Sequence, residues 1–135
     1  MIYAVLDTNV IVSALLSRSA DSTISKLIDH MIDGHLIPMY SQEIIDEYIE
    51  VLSRDKFHFQ PDARNRLIAR IMSKGMDSDR VPYEEKMPDE NDRVFYEVAL
   101  SKEDAYLVTG NQKHFPLTPI VVTPAEMLEI LNSQR

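Results

Sequence analysis

At 135 residues with a formal net charge of −8, the chain is sized for one domain around one hydrophobic core. Its 44 % hydrophobic and 27 % charged residues are those of a globular chain and exclude a disordered or fibrous one. The absence of cysteine excludes disulfides, iron–sulfur clusters, cysteine-ligated zinc and a thiolate nucleophile, and it suits a reducing compartment. With 22 acidic residues against 14 lysines and arginines, long duplex DNA held by charge alone is disfavoured, because phosphate binders carry a basic footprint.

In chain order, Ile2–Leu6 reads as a short buried strand and Asn9–Leu16 as a helix close behind it. This opening is apolar, but it has no basic stretch before its apolar run, and Asp7 interrupts it, so it is not a signal peptide. No segment approaches the roughly 18 uninterrupted apolar residues of a membrane helix. A cytoplasmic chain with no membrane partner is expected. A second helix fits Ser22–Asp33, where Ile24, Leu27, Ile28, Met31 and Ile32 recur at helical spacing and Gly34 offers a stop. Leu36–Tyr40 is the next strand, weakened by Pro38, which has no N–H for a ladder. Ser41 caps a helix reaching about Ser53.

Pro61 suits the first turn of another helix, with Ala63, Leu67 and Ile71 on one face and Gly75 at its end. Arg80–Tyr83 reads as a short strand and the acidic, proline-containing Glu84–Asn91 as a loop. Asp92–Ser101 is helical, with Val94, Phe95, Val98 and Ala99 facing inward. Tyr106–Thr109 and Ile120–Thr123 are strands, and Thr123, Pro124 and Glu126 form a capping box that opens the last helix. Strands separated by helices imply parallel pairing with right-handed crossovers, hence one α/β domain over residues 1–135.

Sheets of this kind place their sites beyond the carboxyl ends of the strands. Asp7 ends the first strand, where helix capping is its alternative role. Glu47 interrupts the inward stripe of Ile44, Tyr48 and Val51, where a carboxylate needs a cation, a buried partner or a place at the rim. Asp92 repeats this in the first turn of its helix, on a stripe with Phe95, Tyr96 and Ala99, and Asp89 one turn earlier competes with it for the capping role. Asn111 follows Thr109 and Gly110 at a strand end, where a plain turn residue would also serve. Two carboxylates about 4 Å apart repel by roughly 4 kcal/mol at an effective dielectric of 20, so three gathered acids call for a cation. Hard oxygen donors suit Mg²⁺ or Mn²⁺ rather than zinc. Among the histidines, only His114, close to Asn111 in NQKHFP, is placed near the site. Arg64, Arg66 and Arg70 put several cations on one helix, as a solvated face or a phosphate track.

The segments AVLDTNVIVSALL, SQEIIDEYIEVLSR, DENDRVFYEVAL and AYLVTGNQKHF, in this order, resemble the PIN-domain proteins, most of all the branch of toxins from bacterial and archaeal toxin–antitoxin pairs. The likeness runs from Met1 to about Thr123. It implies a three-layer α/β/α fold with a parallel sheet of about five strands, and an acidic Mg²⁺ or Mn²⁺ site that hydrolyses RNA phosphodiesters. By motif, Asp7, Glu47 and Asp92 correspond to the family acids, catalytic and metal-binding. Many members carry a further Asp after the Thr-Gly pair, where this chain has the metal-site candidate Asn111. An amide brings no charge, so one tightly bound ion is expected rather than two. Thr8, Asn9 and Thr109 are candidates for orienting the ligands or touching substrate. A homodimer and a cognate antitoxin are further implications of the resemblance.

The acidic balance leaves RNA cleavage open without supporting it. The rival reading is a PIN-like module that binds RNA or protein without cutting, favoured by Asn111 and by the acidic charge. A phosphatase of the haloacid-dehalogenase type needs a second Asp two residues after its nucleophile, where position 9 is Asn.

Overall fold

A computed structural model describes residues 1–134. Five parallel strands form one sheet in the order β3-β2-β1-β4-β5, flanked by six helices. The strands are β1 (Ile2–Leu6), β2 (Leu36–Tyr40), β3 (Met76–Asp77), β4 (Tyr106–Val108) and β5 (Val121–Val122). The helices are α1 (Thr8–Leu16), α2 (Thr23–Ile32), α3 (Gln42–Leu52), α4 (Pro61–Lys74), α5 (Arg93–Ala99) and α6 (Pro124–Ser133). The expected α/β/α architecture stands.

The helix ends follow their sequence signals. Ser22 and Ser41 accept from the backbone N–H three residues on, and Thr123 and Glu126 close the capping box from both sides. Gly34 ends α2 in the left-handed region at φ 83°, where a side chain would be strained. Asp7, rather than a later residue, is the N-cap of α1. Pro38 is accommodated because β3 begins pairing only opposite Met39, one residue past the missing N–H.

One strand is not where the sequence suggested. Arg80–Tyr83 is irregular: the Val81 N–H donates to the Glu97 carbonyl at 3.0 Å, and the Tyr83 N–H to the Glu97 carboxylate at 2.9 Å. These amides are committed to α5 and cannot join a ladder. The third strand is instead Met76–Asp77, reached directly from α4 through Gly75. A Cβ at Gly75 would lie 2.3 Å from the Pro38 carbonyl oxygen and 2.4 Å from that of Ile71, so only glycine lets the chain turn there. The loop over 84–91 closes with a 3₁₀ turn, Glu90–Asp92, and α5 ends at Ala99, before Ser101.

The core gathers Val5, Leu6, Leu36, Met39, Leu107 and Val108 from the sheet with Ile11, Leu27, Met31, Ile44, Ile71 and Phe95 from the helices. Each contributes about 1.5–3 kcal/mol by leaving water. One buried polar contact orients the site. Beyond the last β1–β2 pair, Val5 with Met39, the Leu6 carbonyl accepts the hydroxyl of fully buried Tyr48. This fixes α3 against the end of β1, one residue short of Asp7.

Candidate metal centre

The strand order sets the location. From β1 the chain winds out through β2 and β3, then returns to the other side of β1 as β4 and β5. The reversal falls between β1 and β4, and a crevice opens beyond their carboxyl ends. Asp7 and Thr109 face each other there. The Asp7 N–H donates to the Val108 carbonyl at 2.9 Å, and the Thr109 hydroxyl donates to Asp7 Oδ2 at 2.7 Å. Asp7 Oδ1 accepts from the Thr8 N–H at 2.8 Å, and Asn9 Oδ1 from the Gly110 N–H at 3.2 Å. Thr109 is fully buried, so its hydroxyl has this carboxylate to serve and no bulk water.

The α1 and α3 helices meet at the next acid. The Thr8 hydroxyl donates to Glu47 Oε2, so one end of the Thr8 peptide plane serves Asp7 and its side chain serves Glu47. The Tyr48 anchor holds the same turn of α3. Asp92 comes from the start of α5. Although it is the N-cap residue, its side chain makes no capping bond, because Asp89 caps the preceding 3₁₀ turn through the Asn91 N–H at 3.0 Å. The Asp92 carboxylate is therefore left for other partners. It meets His114 Nδ1 at 3.1 Å. Asn111 is half-buried; its N–H donates to the Thr109 hydroxyl at 3.0 Å, and its Nδ2 lies 2.9 Å from His114 Nε2.

Among the described residues, the group of three whose ligand atoms all lie within 4.8 Å of one another is Asp89, Asp92 and His114. It shares only Asp92 with the trio singled out by sequence. Asp7 and Glu47 act on Asp92 through charge across the crevice. Asp89 had been read as a cap, which it is, but its second oxygen also faces His114 Nδ1 at 3.8 Å. The 3₁₀ turn Gln112–His114, which carries the imidazole back toward the acids, has no clear sequence signal.

The electrostatics are uniform in sign. Burial pushes the Asp7 carboxyl above its usual range against the opposing bonds from Thr109 and Thr8. Burial likewise raises Glu47, with the Thr8 hydroxyl opposing and the charge of Asp7 adding to the rise. Asp92 is pushed up to about 6 by burial, then by the charges of Asp7 and Asp89, with His114 opposing. Among the described residues no lysine or arginine forms an ion pair with any of the three. Sheltered carboxylates without a cationic side chain, arranged around hard oxygen donors, fit a divalent cation. Asp7, Glu47 and Asp92 have the donor chemistry to hold it, and Asn111 could add only a neutral oxygen.

Residues 3–113 match the family model described as PIN domain. No curated protein and no solved structure matches the chain. The matched stretch contains Asp7, Glu47, Asp92 and Asn111 and ends one residue before His114. No helix among the described residues is long and apolar enough to cross a membrane.

Proposed function

The chain belongs to the PIN-domain family, whose members are generally nucleases using divalent metal ions, and from that premise we propose that it is a Mg²⁺- or Mn²⁺-dependent endoribonuclease. What supports this reading is that Thr8 links Asp7 and Glu47 beyond the end of β1, that the charges of both bear on Asp92, and that among the described residues none of the three is paired to a lysine or arginine. Asp7, Glu47 and Asp92 would hold the ion, with Asn111 as a neutral neighbour. When bound, such an ion makes a water acidic enough to attack and offsets the charge gathering on the phosphate. Thr109 and Thr8 keep Asp7 and Glu47 turned toward the crevice through their hydroxyl bonds. Water is proposed as the attacking group, and the family likeness implies 5′-phosphate and 3′-hydroxyl ends.

The finer parts of the proposal are single-stranded RNA as substrate, a cytoplasmic location, a homodimer, and a role as the toxin of a toxin–antitoxin pair with a cognate antitoxin. One observation favours the second reading, a non-catalytic PIN-like binding module: Asn111 stands where many members carry an acid, and its amide is engaged with His114. Incubation with single-stranded RNA separates the two. Cleavage that stops with EDTA, returns with Mn²⁺ and yields 5′-phosphate ends supports the enzyme. Cleavage indifferent to EDTA, or 2′,3′-cyclic phosphate ends, overturns the mechanism, and binding without cleavage in either ion favours the second reading.

A further inference from the structure

The imidazole of His114 stands between two sets of partners. Its Nδ1 faces Asp92 Oδ2 at 3.1 Å and Asp89 Oδ2 at 3.8 Å, while its Nε2 lies 2.9 Å from the Asn111 amide nitrogen. The turn that carries it is anchored by buried Phe115 immediately after it. We propose that His114 is a nitrogen ligand of the cation held at this site, through Nδ1 beside Asp92 and Asp89, and that it makes the site favour Mn²⁺ over Mg²⁺. The inference rests on the reading of this crevice as a metal centre, and it concerns a residue outside the stretch that matches the family.

The chemistry follows from the donor types. Mg²⁺ takes oxygen ligands and keeps much of its water, whereas first-row transition ions accept imidazole readily, and Mn²⁺ is the member of that series still compatible with carboxylates. Asn111 accounts for how the ring could serve in both states. With its Nδ2 toward Nε2, the amide donates, and the ring proton sits on Nδ1 facing Asp92. After a half-turn of the amide, Oδ1 accepts from Nε2–H, and the Nδ1 lone pair is released toward the carboxylates. The imidazole stays neutral, one proton having moved from Nδ1 to Nε2. An aspartate here could accept from Nε2–H but not donate to a bare Nε2, so the amide is what serves the ring in both states.

The test is Mn²⁺ and Mg²⁺ titration calorimetry on the full chain, with pulsed electron paramagnetic resonance of bound Mn²⁺, for wild type, His114→Ala and Asp92→Asn. Wild type is expected to show nitrogen hyperfine coupling on Mn²⁺. His114→Ala should lose the coupling and weaken Mn²⁺ by at least about tenfold, leaving Mg²⁺ binding nearly unchanged. Histidine labelled with ¹⁵N in the wild type must change the coupling pattern, a readout that needs no substitution to fold. Mn²⁺ bound without nitrogen coupling, and weakened by Asp92→Asn, overturns the inference while leaving the metal centre intact. Equal weakening of both ions by His114→Ala also overturns it. Mn²⁺ binding that is absent, or indifferent to Asp92→Asn, removes the metal centre itself.

Discussion

Helix α5 carries two sheltered carboxylates, Asp92 at its start and Glu97 within it, and their surroundings push them in opposite directions. Glu97 is 8 % exposed at its side chain and accepts from Arg80 Nε at 2.8 Å and Arg80 Nη2 at 2.7 Å. It also accepts the Tyr83 N–H at 2.9 Å, with Arg93 Nη1 at 3.6 Å. Burial pushes its carboxyl up, but the Tyr83 amide and the two arginines more than reverse this and hold it below its usual range. Among the described residues Asp92 meets His114 but no lysine or arginine, and burial together with the charges of Asp7 and Asp89 raises it to about 6. The same functional group, a few residues apart, is neutralised from within the chain in one place and left to an outside partner in the other. A carboxylate that serves the fold has its arginine; Asp7, Glu47 and Asp92 have none among the described residues. Acid content alone could not separate these roles.

The largest effect that would break this contrast is on cleavage. Asp92→Asn should reduce RNA cleavage at least about a hundredfold, because it removes a charged ligand of the ion. Metal-free stability should be equal or higher, since the change relieves a group the fold disfavours as an anion. Thermal unfolding with and without Mn²⁺ checks both halves. A markedly less stable apo variant, or equal stabilisation of both proteins by Mn²⁺, would make Asp92 a structural cap. Glu97→Ala should do the reverse. It strips Arg80 and Arg93 of a buried partner and should cost about 3 kcal/mol in denaturant unfolding, while Mn²⁺ affinity of the folded fraction is retained. Arg80 keeps Glu43 and Arg93 keeps Glu90, which limits the loss.

The pH dependence sharpens the same comparison. Below its ordinary 3.8, Asp92 is protonated folded or unfolded; between there and about 6 the unfolded chain gives up the proton while the folded one keeps it, so each rise in pH favours the unfolded chain. Through this group apo stability should therefore fall as pH rises from about 4 to 6, by at most about 3 kcal/mol and less for its access to water. Glu97 has the opposite sign. Its contribution is complete above its ordinary 4.5 and is lost as pH falls through its lower folded value. Saturating Mn²⁺ should flatten the Asp92 slope and leave the acid-side loss in place; an unchanged slope would argue that the ion binds elsewhere. The smallest effect is expected at Tyr48→Phe, which leaves the Leu6 carbonyl without its donor at a cost of about 1–3 kcal/mol. Cleavage should fall less than for Asp92→Asn, because Thr8 still holds Glu47.

Much of this was legible in sequence. Strands β1 and β2 lie where apolar runs placed them, and the helix caps at Ser22, Ser41 and Thr123 carry their own signatures. Glu47 and Asp92 stood out because helical period 3.6 made them interruptions of inward stripes. Strand β3 was not legible, because two residues behind a glycine have no pattern, and its existence depends on Gly75 fitting against Pro38. Arg80–Tyr83 misled because Glu97 takes the Val81 and Tyr83 amides. His114 was legible as the one histidine near the site, but its grouping with Asp89 and Asp92 was not, because that depends on a loop pinned by Arg93 to the Tyr83 and Glu85 carbonyls and on a 3₁₀ turn with no period of its own.

The bond from Thr109 to Asp7 joins residues 102 positions apart, and that from Gly110 to Asn9 spans 101. Contacts of such separation form late in folding, after the chain between them is compact. During synthesis, the first acid leaves the ribosome long before the strand that must flank it, and until β4 inserts beside β1 the crevice has only one wall. The cutting proposed here is thus timed by topology. A nascent or prematurely terminated chain ending before Tyr106 carries Asp7, Glu47 and Asp92 and still lacks the strand that must lie beside β1.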